Sequence, residues 1–110
     1  MTNLEIPSRF GLKASVLDRI RSVFSTCPEI ERVILYGSRA KGNYRNSSDI
    51  DLTIVGDQVT DGQFSSLQLA LDDLLLPYTI DLSLLRHIDN PDLLAHINRV
   101  GVMFYERGRQ

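Results

Sequence analysis

The residues able to do chemistry in this 110-residue chain are concentrated between Gly37 and Asp51. Asp49 and Asp51 stand two apart at the head of the run Ile50-Asp51-Leu52-Thr53-Ile54-Val55. Side chains alternate across a strand, so the two carboxylates share one face while Ile50, Leu52 and Ile54 share the other. Neighbouring like charges repel, and a cation between them removes the repulsion. Magnesium suits such a pair, because it takes carboxylate oxygens together with phosphate oxygens and waters. Two carboxylates on one strand edge can serve a pair of ions about 3.5–4 Å apart. Upstream, Gly37-Ser38 follows the apolar run Arg32-Val33-Ile34-Leu35-Tyr36. Glycine there lets the backbone approach a phosphate, and helix-start N–H groups and the Ser38 hydroxyl can donate to it. Arg39, Lys41 and Arg45, all within the polar stretch that follows, are candidates to neutralise a triphosphate.

These residues need elements to hold them. Leu12, Val16, Leu17, Ile20, Val23 and Phe24 recur at helical spacing and predict a helix that closes before Pro28. Residues 32–36 and 50–55 predict strands, with a short helix or loop over residues 38–48 between them. A second helix is expected over residues 63–76, with Phe64, Leu67, Leu71, Leu74 and Leu75 as its apolar face and Pro77 at its end. Residues 79–84 alternate as a third strand. Pro91 opens a third helix capped by Asp89 or Asn90, and residues 102–105 form a fourth strand. In the third strand Ile80, Leu82 and Leu84 are apolar, so Asp81 falls on the face that carries Asp49 and Asp51. The order predicts an α/β (α+β) domain with a single mixed sheet of about four strands and helices on one face. One domain spans residues 1–110, with residues 1–10 as a loose leader.

Composition excludes several classes. Net charge is −2, so no overall basic field draws in nucleic acid or an anionic membrane. No apolar stretch reaches the ~18 residues that a membrane span needs. No signal peptide is visible at the start, and one cysteine, Cys27, makes no internal disulfide, so a cytoplasmic location is expected. Cys27 reads as core filler. His87 and His96 lack metal-ligand spacing and read as structural or surface residues; Tyr36 reads as core and Tyr44 as exposed loop.

Gly37-Ser38, ten residues, then Asp49-Ile50-Asp51 resembles the G-S-x10-D-x-D signature of the polymerase-beta-like nucleotidyltransferase superfamily. The stretch GSRAKGNYRNSSDIDL is similar to that of its minimal nucleotidyltransferases, the MNT proteins. The resemblance implies ATP as substrate and Mg²⁺, two ions, on Asp49 and Asp51. It implies that Asp81 completes the metal site and helps deprotonate the acceptor, and that Gly37 and Ser38 hold the β- and γ-phosphates. It also implies a partner, since minimal nucleotidyltransferases are paired with helical HEPN proteins that resemble ribonuclease toxins. In such pairs AMP passes from ATP to a tyrosine of the toxin, and the nucleotidyltransferase is the antitoxin. The short chain has no second domain for an acceptor, which fits a site completed by another chain. Two other readings are a non-catalytic NTP-binding module that neutralises a HEPN protein by binding, and a small-molecule adenylyltransferase working as a homodimer. Asp49-Ile50-Asp51-Leu52-Thr53 also fits the D-x-D-x-T motif of haloacid-dehalogenase phosphatases. That motif follows an apolar strand, whereas residues 43–48 here are polar.

Overall fold

A computed structural model describes residues 8–108 of the chain. The strands are β1 (Ser8–Arg9), β2 (Leu12–Lys13), β3 (Arg32–Tyr36), β4 (Ile50–Val55), β5 (Ile80–Leu84) and β6 (Val102–Glu106). The helices are α1 (Ala14–Ser25), α2 (Gly37–Lys41), α3 (Asp61–Asp72) and α4 (Pro91–Val100), with a 3-10 turn at Leu85–His87. Strands β3 to β6 form one mixed sheet in the order β5-β4-β3-β6. Within it β4 and β5 run parallel, and β3 is antiparallel to both its neighbours. The expected α/β architecture with a four-stranded mixed sheet is the one observed.

Alternation along the strands builds the core. Val33, Leu35, Ile50, Leu52, Ile54, Leu82 and Leu84 are buried together with Leu17, Ile20, Val23 and Phe24 of α1 and Leu67 and Leu71 of α3. Phe24 meets Phe104 edge-on, with ring centroids 6.3 Å apart. Cys27 is a buried part of this core, and burial pushes its thiol pKa upward.

Several boundaries differ from expectation. The backbone over 8–10 is ordered rather than loose, because β1 pairs with β2 as a small antiparallel hairpin; the rest of the predicted leader, 1–7, lies outside the described residues. Leu12 therefore belongs to that hairpin and is fully buried there, two residues before the helix it was expected to open. Helix α3 starts at Asp61 because Thr60 and Gln63 cap it reciprocally, each side chain bonding the other's backbone N–H. It also ends early. Leu75 has φ 54° and is 87% exposed, so it is not on the apolar face. The position before Pro77 cannot continue a helix comfortably, and the chain unwinds ahead of it. Asn90, not Asp89, caps α4 by accepting the N–H groups of Asp92 and Leu93.

The expectation of helices on one face only is corrected by the winding of the chain. From β4 to β5 the chain steps outward across the sheet, whereas from β5 to β6 it returns to the far edge. Right-handed crossovers in opposite directions put their helices on opposite faces. Helix α3 thus packs on the core face and α4 on the other. A side chain at Gly101, just past α4, would strike Ile34, which alternates away from the core. The Tyr36 ring meets His96 of α4 edge-on at 6.1 Å.

Candidate active site

The face partly roofed by α4 carries the acidic residues. Tyr36, Asp51 and Asp81 are register partners across β3, β4 and β5, so they form one row. In the next row Thr53 is fully buried, and the Ser83 hydroxyl donates to Thr53 Oγ1 at 2.9 Å. Tyr36 is buried but lies outside the main apolar cluster. Its phenol pKa is raised, chiefly by burial; a hydrogen bond with Ser83 opposes the rise and the charges of Asp81 and Asp51 add to it.

Asp49 sits one residue before β4 and is exposed, while Asp51 is half-buried. Ile50 N–H bonds Thr79 O at 2.9 Å and fixes the start of the β4–β5 ladder between them. The Asp51 carboxyl pKa is raised, first by burial, then by the charge of Asp81 and then of Asp49, with His96 acting the other way. Asp51 is therefore within electrostatic reach of both Asp81 and Asp49. Among the described residues, no three His, Cys, Asp or Glu side chains converge as a ready-made metal cluster. The donors are nonetheless of the kind magnesium takes, hard oxygens whose mutual repulsion a divalent ion relieves, with phosphate and water completing its shell.

The turn before α2 is shaped around Asp51. Gly37 has φ 75°, and a Cβ there would collide with the Asp51 carboxylate. Any other residue would meet both the backbone penalty and the clash. The Gly37 N–H is already used: it donates to His96 Nε2 at 3.1 Å. Ser38, half-buried, brings its hydroxyl and amide to the same turn. His96, read from sequence as structural or surface, is thus part of this site. It lies 59 residues from Gly37 in the chain, and no local spacing ties the two together. His87 is exposed on the 3-10 turn.

Arg39 is the clearest departure from the expected site. It was a candidate for triphosphate binding, yet it is only 2% exposed. Its guanidinium donates to the carbonyls of Ser48, Phe10, Asn46 and Arg45, and it lies over the rings of Tyr44 and Tyr78. A planar fork with five N–H donors satisfies several carbonyls at once. Arg39 therefore fastens the loop that ends at Asp49 rather than facing solvent. Lys41 and Arg45 are exposed, as is Tyr44 at 36% despite its contact with Arg39. Arg45 N–H donates to the Ser48 hydroxyl at 2.8 Å and Ser48 N–H to Arg45 O at 3.0 Å, which tightens the same loop.

Comparison with known proteins places this geometry. Residues 18–110 match the family described as polymerase beta, nucleotidyltransferase. No curated protein sequence matches the chain. Among solved structures, a toxin–antitoxin crystallised with AMP-PNP superposes with a TM-score of 0.66 at 20% identity, over 84% of this chain and 74% of that one. The toxin–antitoxin MntA–HepT gives 0.61 at 19% identity, over 86% and 73%. A tri-AMPylated Shewanella oneidensis HEPN toxin in complex with MNT antitoxin gives 0.60 at 18%, over 84% and 71%. Among the described residues no helix is long and apolar enough to cross a membrane.

Proposed function

Because the chain belongs to the polymerase beta nucleotidyltransferase family, we propose that it moves AMP from ATP, with Mg²⁺, onto a tyrosine of a HEPN-class helical toxin and acts as that toxin's cytoplasmic antitoxin. The observation that carries this reading is the row of Asp51 and Asp81, joined by Asp49, beside the turn that Gly37 can form only without a side chain. Asp49 and Asp51 would hold the magnesium, which offsets the charge of the triphosphate and polarises the α-phosphate. Ser38 binds the phosphate chain, with Lys41 and Arg45 supplying exposed positive charge nearby.

Asp81 is exposed on β5, an edge strand, so an acceptor can approach it from outside the chain. Its carboxylate takes the proton of the acceptor hydroxyl. The acceptor oxygen forms a bond to the α-phosphorus, the bond from that phosphorus to the bridging oxygen breaks, and pyrophosphate leaves with the electron pair. Such transfer depends mostly on placement and charge neutralisation. The toxin as acceptor is supported by the solved neighbours, of which one is a complex of an AMPylated HEPN toxin with its MNT antitoxin.

The test is to incubate the protein with α-labelled ATP, Mg²⁺ and a candidate HEPN-class partner protein. Label on a tyrosine of the partner is the expected result. A stable complex with no label argues for neutralisation by binding alone. Label on a small molecule without the partner would assign the site to small-molecule adenylylation.

A further inference from the structure

We propose that His96 is a positioning residue of this site, holding the Gly37–Ser38 turn in place through the Gly37 amide. The inference rests on the nucleotidyl-transfer reading and adds to it a residue from the far end of the chain.

The geometry has three parts. His96 Nε2 accepts the Gly37 N–H at 3.1 Å, so the bond runs from α4 to the turn. The imidazole is half-buried and meets the Tyr36 ring edge-on, which fixes the plane of the ring. Tyr36 directly precedes Gly37 and is the register partner of Asp51. The same helix therefore holds both the last residue of β3 and the first residue of the turn.

The bond matters because Gly37 is the least constrained point of the turn. Its φ of 75° is open to glycine at no steric cost, so nothing in its own side chain keeps it there. On one side Asp51 blocks the space where a Cβ would lie; on the other His96 ties the amide. With both in place, the Ser38 hydroxyl and amide are presented to a phosphate in one arrangement. Without the imidazole, the turn must find that arrangement during binding, and ordering a mobile segment weakens affinity.

The experiment measures binding of Mg·ATP to the purified chain, together with the Gly37 amide proton by NMR, in wild type, His96→Leu and His96→Gln. Leucine removes the acceptor, whereas glutamine returns one through Oε1. Expected results are an affinity about 10-fold weaker for His96→Leu, the loss of roughly one hydrogen bond, with an upfield shift and faster exchange of the Gly37 amide. His96→Gln should restore both. If the leucine variant does not fold, His96→Asn, whose shorter amide stops short of Gly37, takes its place. Undiminished binding in the acceptor-less variant overturns the role of His96 alone. Equal loss in His96→Gln with the amide signal restored overturns it too, since packing would then be the cause. A wild-type chain that binds no Mg·ATP instead overturns the nucleotidyl-transfer reading, and this inference with it.

Discussion

On one face of the sheet, Val33, Leu35, Ile50, Leu52 and Ile54 are shut from water against α1 and α3; on the other, Tyr36, Asp51 and Asp81 stand in a row in which two carboxylates repel each other. The same strands supply both faces, residue by residue. The first face gains from every contact it makes, as apolar burial does. The second holds a half-buried carboxyl whose pKa is raised, first by burial and then by the charges of Asp81 and Asp49. Stability is thus concentrated on one side of the sheet, and the like charges that suit a cation and a triphosphate are carried on the other at some expense to the fold.

Substitutions on the two sides should separate these roles. The largest effect on stability is expected at Phe24, which is fully buried against Phe104. Phe24→Ala should lower the unfolding free energy by about 3–5 kcal/mol, read by denaturant melts. Arg39→Lys comes next. An ammonium cannot replace the fork that serves four carbonyls, so a loss of about 2–3 kcal/mol is expected, together with weaker Mg·ATP binding because the loop before Asp49 loosens. A variant that melts like wild type would show that Arg39 is not the fastening of that loop. Thr60→Ala removes half of the reciprocal cap on α3, far from the acidic row. It should cost about 1 kcal/mol and leave nucleotide binding unchanged.

The smallest expected effect is on the pH dependence of stability. The folded-state pKa of Asp51 is raised, so the folded chain binds more protons than the unfolded chain across the window between the two values. This group's contribution is fully present below the ordinary carboxylate range. It is lost as pH rises through the raised folded value. Metal-free melts at a series of pH values should show that decline in wild type, and a shallower one in Asp51→Asn.

Much of this was legible in the sequence because it depends on short-range pattern. Alternation in residues 50–55 and 79–84 is enough to put Asp51 and Asp81 on one face, and the register pairs them directly. The turn at Gly37 announces itself by the residue type. The true start of α3 at Asp61 rests on the reciprocal cap of Thr60 and Gln63, whereas the apolar spacing alone places the start at Gln63. What could not be read locally depends on distant partners. Arg39 sits in a polar stretch typical of solvated loops, and only Phe10, Tyr44, Tyr78 and the carbonyls of 45–48 make it a buried residue. His96 joins the site through a helix whose face is set by the order of the strands. That face follows from handedness once β6 is known to pair with β3, and no spacing within the sequence reports that pairing.

The most direct test of the account is one variant read in two ways. Asp51→Asn removes the charge that the second face carries at the expense of the fold, and it also removes a ligand proposed for magnesium. Transfer of labelled AMP should fall by at least roughly 10²–10³-fold, while the metal-free melting temperature should rise. Transfer near the wild-type rate, or a lower melting temperature with the turn at Gly37 disrupted, would contradict it.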